Sequence, residues 1–132
     1  EAQYKPFEFR NENNEIVGYD IDFGSEIANR LGGLEINPVD TNWAMVIQSL
    51  YNGEFDLILG GMTATPERFQ RVSFSYPYMS ASSGLLVLMD SGTEGPADLD
   101  GKNVAAGAGT PQIKQLELSA EEQGITYASA PK

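Results

Sequence analysis

The stretch from Phe55 to Arg68 constrains this chain more than any other. The apolar run Phe55 to Leu59 reads as a buried strand. It opens onto Gly60-Gly61, where a ligand can approach bare backbone. A helix start follows: Thr65 as N-cap, Pro66 at the first helical position and Glu67 behind it. Arg68 falls in that first turn, where acids are preferred because the helix dipole already makes that end positive. An arginine there calls for something negative beside it. Backbone N–H groups, the Thr63 hydroxyl and a planar guanidinium converge, which is the chemistry for holding a small carboxylate. The competing reading is a surface arginine paired with a neighbouring Glu.

The rest of the chain repeats the same alternation of strand and helix. Asn11-Glu12-Asn13-Asn14 is a turn cluster, and Phe7 to Tyr19 reads as a hairpin around it. Asp20 is expected to cap a helix from Ile21 to about Leu31, with Phe23, Ile27 and Leu31 as its buried stripe. Leu34 to Val39 alternates like a strand. Thr41 or Asn42 caps a helix from Trp43 to Asn52. Gly84 to Met89 is a continuous apolar strand candidate. The segment Asp90 to Pro96 is polar and glycine-rich, and a domain boundary is placed there. Beyond it come a short helical turn at Ala97 to Leu99, a strand at Asn103 to Ala106, a helix from Gln112 to about Gln123 and a strand at Ile125 to Tyr127. Strands alternating with helices imply an α/β fold with a mainly parallel sheet and flanking helices. Residue 1 lies at a loop and the last residues begin a new layer, so an incomplete chain is expected.

Composition removes whole classes of function. The formal charge of −11 argues against nucleic acid, whose phosphates demand a basic face. The chain has no histidine and no cysteine, which excludes imidazole and thiolate chemistry, metal sites built on either, and disulfides. No run of apolar residues is long enough to span a membrane, and no charged-then-apolar leader is present, so any export signal is expected to be absent or removed. With 41% hydrophobic and 20% charged residues, the composition is that of a globular protein. Asp20-x-Asp22 lacks calcium-loop spacing and is read as helix capping, so no metal or cofactor is expected. Acidic side chains such as Glu1, Glu8, Asp56 and Asp90 show no spacing that points to a reaction.

Two further groupings carry weight only beside the first. Gly107 to Thr110 is again a glycine loop at a helix start, with Pro111 lacking an N–H to offer; an ordinary turn explains it as well. Trp43 opens a helix after Asp40-Thr41-Asn42, where its ring could line a pocket and stack on a ligand chain or cation. The other aromatics (Tyr4, Phe7, Phe74, Tyr76 and Tyr78) read mainly as packing.

Taken together, these residues resemble a known family. Tyr4-Lys5-Pro6-Phe7-Glu8-Phe9 followed by Ile16-Val17-Gly18-Tyr19-Asp20-Ile21-Asp22 is similar to the opening of the extracytoplasmic solute-binding proteins that serve ABC importers of polar amino acids. Phe55-Asp56-Leu57-Ile58, Gly60-Gly61-Met62-Thr63 and Thr65-Pro66-Glu67-Arg68 resemble their central motif, and Val72 to Tyr78 follows at the family's spacing. Leu99-Asp100-Gly101-Lys102-Asn103-Val104 and Gly109-Thr110 resemble the start of their second lobe. The resemblance implies a periplasmic-binding-protein-like, two-lobed hinged fold, with residues 1–88 as lobe one without its first strand and 89–132 as a truncated start of lobe two.

The resemblance also implies a site. Arg68 takes the ligand α-carboxylate, supported by the Thr63 N–H, while the Thr63 hydroxyl and the Gly61 carbonyl accept from the α-ammonium. Gly60 and Met62 complete that turn. Tyr4 and Trp43 sandwich the ligand side chain, Thr110 closes from lobe two, and Glu1 and Gln112 reach the far end. Pro111 departs from the pattern, because the family often supplies a carboxylate-binding N–H there. The family's ammonium-binding acid falls beyond Lys132. The implied protein is not an enzyme. It is a monomer located in the periplasm or otherwise outside the cytoplasm, including the lipid-anchored form, and its partners are a small amino acid and the membrane subunits of an importer. Glu1 tilts the ligand toward arginine, lysine or glutamine. The alternatives are an enzyme on the same scaffold, dehydratase-like or peptidoglycan-cleaving, and a ligand-sensing domain of a membrane receptor.

Overall fold

The computed structural model describes residues 2–129. The chain divides into two compact units, Glu1–Ser73 and Phe74–Lys132.

The first unit opens with an antiparallel sheet of β1 (Gln3–Tyr4), β2 (Glu8–Arg10) and β3 (Ile16–Val17), in that order. Tyr4 pairs with Glu8, and Phe9 with Val17. The turn cluster closes the hairpin as its composition predicts. The Asn11 side chain accepts from the N–H of Asn13 at 2.9 Å and of Glu15 at 3.0 Å, the local bonding that makes Asn a turn residue.

Helix α1 (Tyr19–Arg30) follows at once, and its N-cap is Gly18, not Asp20. The Gly18 φ of 134° lies in a region that L side chains rarely adopt. A Cβ there would come within 2.3 Å of the Phe7 carbonyl oxygen. That close approach lets the Tyr19 N–H donate to Pro6 O at 3.0 Å and the Asp20 N–H to Phe7 O at 2.9 Å. The helix start is thereby tied to the entry of β2. The residues that α1 buries are Asp20, Gly24 and Ala28, whereas Leu31 is 69% exposed. Of the expected stripe, Phe23 and Ile27 are half-buried and Leu31 is exposed, while the fully buried positions are the neighbouring Asp20, Gly24 and Ala28. The reason is close packing: a Cβ on Gly24 would stand 3.1 Å from Leu59 Cδ2 and 3.7 Å from Ile36 Cδ1. Two extended runs thus lie against α1 at its glycine.

A single 3₁₀ turn at Trp43–Met45 leads into α2 (Val46–Tyr51), with the Asn42 side chain accepting from the Ala44 N–H as the cap. Helix α3 (Pro66–Phe69) begins on Thr65, whose Oγ1 accepts from the Arg68 N–H at 3.3 Å. The runs 34–39, 55–60 and 84–89 carry no strand assignment, contrary to the sequence reading. A strand is defined by its ladder partners, and these runs have none among the described residues.

The second unit is built around α4 (Pro111–Gln123), which starts at Pro111 and ends on Gly124 in the left-handed conformation. A 3₁₀ turn at Pro96–Leu99 precedes it and buries Leu99. The Tyr127 hydroxyl donates to Leu116 O at 2.9 Å, and an isolated parallel bridge joins Asn103 to Ser129. Among the described residues, no helix is long and apolar enough to cross a membrane.

Candidate functional site

The first unit gathers Tyr4, Glu8, Asp20, Trp43, Gly60, Gly61, Thr63 and Arg68 around one turn. Gly61 has φ 58°, and a Cβ on it would lie 2.9 Å from Tyr4 Cε1. Only glycine fits there without moving the ring. A Cβ on Gly60 would lie 3.4 Å from Glu8 Oε1 and 3.9 Å from Trp43 Cζ3. The turn is therefore roofed by Tyr4 from β1 and flanked by Glu8 from β2 and by the indole of Trp43. Met62 continues the turn and is half-buried.

Arg68 is held on two sides. Its NH1 donates to Thr63 O at 2.8 Å, and its guanidinium carbon sits over the Trp43 ring, 5.5 Å from the centroid. Burial pushes its pKa down, because desolvation disfavours the charged form. The guanidinium nevertheless stays a cation. The helix dipole contributes little at Arg68, since α3 has four residues and no long axis along which peptide dipoles can add. What presents Arg68 is the Thr63 carbonyl and the indole face.

Beneath the turn lies Asp20, which is fully buried. Its Oδ2 accepts from the Gly61 N–H at 2.8 Å. Glu8 Oε2 and Asp20 Oδ1 are buried with no hydrogen-bond partner among the described residues. Burial first, and then the neighbouring charge of Asp20, push the Glu8 pKa up to about 7. Neither residue was singled out from sequence. Asp20 was read as an ordinary helix-start acid, and Glu8 as an acid without a partner. The available signals were the i, i+4 spacing of Asp20 with Gly24 and Ala28, and the pairing of Glu8 with Tyr4 that a hairpin around Asn11–Asn14 requires.

The remaining candidates are distributed as follows. Thr110 and Gln112 belong to the second unit. The Thr110 hydroxyl donates to Gly107 O at 2.6 Å and makes no capping bond to α4. Gln112 Nε2 donates to Ser83 Oγ at 3.4 Å, and Ser83 in turn donates to Gln115 at 2.7 Å. Glu1 lies outside the described residues.

A glycine turn with a buttressed arginine thus lies beside a hairpin and a capped helix. The profile of the bacterial extracellular solute-binding proteins, family 3, matches residues 1–122, and the chain belongs to that family. It is 40% identical over 121 residues to the arginine-binding extracellular protein ArtP of Bacillus subtilis, an alignment covering 91% of this chain and 47% of that protein. A crystal structure of a mutant of ArgBP from T. maritima superposes with a TM-score of 0.81 at 38% identity, covering 99% of this chain and 55% of that one. The ancestral amino-acid-binding protein AncCDT-1, described as a precursor of cyclohexadienyl dehydratase, superposes with a TM-score of 0.80 at 38% identity, covering 93% and 54%. The likeness confirms the two-lobe, periplasmic-binding-protein-like α/β fold expected from sequence. The chain spans about half the length of the curated relatives it matches.

Proposed function

We propose that this chain carries the amino-acid-binding machinery of an extracytoplasmic solute-binding protein, that its ligand is a cationic α-amino acid, arginine foremost, and that it hands the ligand to the membrane subunits of an ABC importer. The observation that carries the reading is Arg68, desolvated, laid over Trp43 and fastened to Thr63 O beside the Gly60–Gly61 turn. A partly desolvated guanidinium gains most from a ligand that brings a carboxylate in a bidentate geometry. In this reading Arg68 and the Thr63 N–H take the α-carboxylate, and Gly61 O and the Thr63 hydroxyl take the α-ammonium. Gly60 and Met62 shape the turn, and Tyr4 and Trp43 flank the side chain. The family pattern adds contacts from Thr110, Gln112 and Glu1. The name of the Bacillus relative supports arginine over other ligands, as does the ArgBP likeness.

Calorimetric titration against the amino acids tests this. L-Arginine is expected to bind with Kd in the micromolar range, about −8 kcal/mol. Arg68→Ala is expected to cost about 2–5 kcal/mol, the range for removing one partner of a desolvated charge pair. Unchanged affinity in that variant removes Arg68 from the site. The likeness to AncCDT-1 favours one second reading, an enzyme on the same scaffold. Turnover of a prephenate-like acid without arginine binding would select it.

A further inference from the structure

We propose that Glu8 and Asp20 hold one proton between them, and that this protonated pair is the positioning element for the Gly60–Gly61 turn on which the ligand head group is received. The inference rests on the proposed amino-acid site for its binding consequence, but the pair itself is read from the burial of the two carboxyls and their placement against Gly60 and Gly61.

Asp20 has no exposure, and its Oδ2 is fully engaged by the Gly61 N–H. Its other oxygen, Oδ1, is buried with no donor among the described residues, and the same holds for Glu8 Oε2. Two unsatisfied buried oxygens on neighbouring carboxyls are costly if both groups are ionised, since an ionised carboxylate only accepts. A single proton turns one carboxyl into a donor, satisfies both orphan atoms and removes one of two like charges. The proton belongs to the pair as a unit.

The pair is placed to act on the turn from both of its glycines. Asp20 is bonded to the Gly61 N–H, and Glu8 Oε1 stands 3.4 Å from where a Cβ of Gly60 would be. The α1 start that delivers Asp20 is pinned to β2's entry through Gly18, so the carboxyls cannot separate without unpicking the Pro6 and Phe7 carbonyl bonds. The charged group that acts on Glu8 among the described residues is Asp20 from α1, and the titratable Tyr4 pairs with Glu8 across the β1–β2 ladder. Loss of the shared proton leaves two charges in a buried space, and Asp20 then pulls away from, or reorients, the Gly61 N–H.

The direction follows from the sign of the Glu8 shift. Its folded pKa of about 7 lies above the ordinary 4.5, so the stabilisation is fully present below about 4.5 and is lost as pH rises through about 7. Three readouts test the pair. In carboxyl-carbon NMR of the wild-type protein, Glu8 titrates with a midpoint near 7; a midpoint near 4.5 overturns the proposal. In thermal unfolding, the midpoint of the wild type falls as pH rises through about 7 and that of Glu8→Gln does not; a slope that persists in Glu8→Gln overturns it. In calorimetry with L-arginine, wild-type affinity falls roughly tenfold across that interval, the equivalent of one pKa unit, and Glu8→Gln loses the dependence. Absence of arginine binding at every pH refutes the ligand assignment, while the first two readouts still decide the pair. A persistent affinity slope in Glu8→Gln removes the pair from the site.

Discussion

Two apolar runs of similar composition meet different fates in this molecule. In the first unit, Phe55, Ile58 and Leu59 are half-buried, and a Cβ on Gly24 of α1 would stand 3.1 Å from Leu59 Cδ2. In the second, Leu86 is 102%, Leu88 82% and Met89 98% exposed. The difference is not in the side chains, since both runs are rich in branched aliphatics. It lies in what covers them. Helix α1 offers a face of Asp20, Gly24 and Ala28, small enough for neighbouring chain to come close, and no described element does the same for 85–89. Apolar sequence proposes burial, and a partner surface of matching shape grants it.

That contrast can be broken at several points. The largest effect is expected from Gly18→Ala. A Cβ within 2.3 Å of Phe7 O, at φ 134°, must push α1 off the hairpin. A stability loss of about 3 kcal/mol or more in denaturant titration is expected, from strain and lost packing together. A loss below about 1 kcal/mol would mean that α1 is not anchored as described. Gly61→Ala comes next. Its backbone φ of 58° and the 2.9 Å approach to Tyr4 are expected to cost about 1–2 kcal/mol, read as roughly tenfold weaker arginine binding. Asp40→Asn should matter less. Asp40 accepts from Arg10 at 2.7 Å, and that guanidinium holds its carboxyl below the usual range, yet both side chains are more than a third exposed. Water screens such a pair, so a change under about 1 kcal/mol is expected, present at neutral pH and vanishing as acid protonates Asp40. The smallest effect belongs to Leu86→Ser, below about 0.5 kcal/mol for a side chain that touches so little. A larger loss would show that the run is covered, and the contrast would disappear.

Local chemistry was legible in the sequence, and geometry between distant segments was not. Asn42, Thr65, Pro66 and Pro111 each announced a helix end, because caps act within a few residues. Asn11 announced the hairpin for the same reason. The Gly60–Gly61 turn and Arg68 were visible as a motif, but the contacts that hold the guanidinium were not. A four-residue helix supplies little dipole, and a carbonyl and an indole hold the guanidinium instead. Asp20 and Glu8 escaped notice because their meaning depends on a contact across 41 residues of chain, from Asp20 to Gly61, that no local pattern encodes. The strand expectations for 34–39 and 55–60 failed in a similar way, since alternation marks a face without naming the neighbour that would pair with it.

The seat of Arg68 on Trp43 also limits what shapes of anion it can greet. A guanidinium set over an indole and bonded through NH1 to a carbonyl is a planar fork with part of its surface taken, and such a fork matches a planar anion best. Carboxylates are planar; sulfonates and phosphonates are tetrahedral. Taurine and the phosphonate analogue of arginine are thus expected to be poor substitutes even where their charge is right.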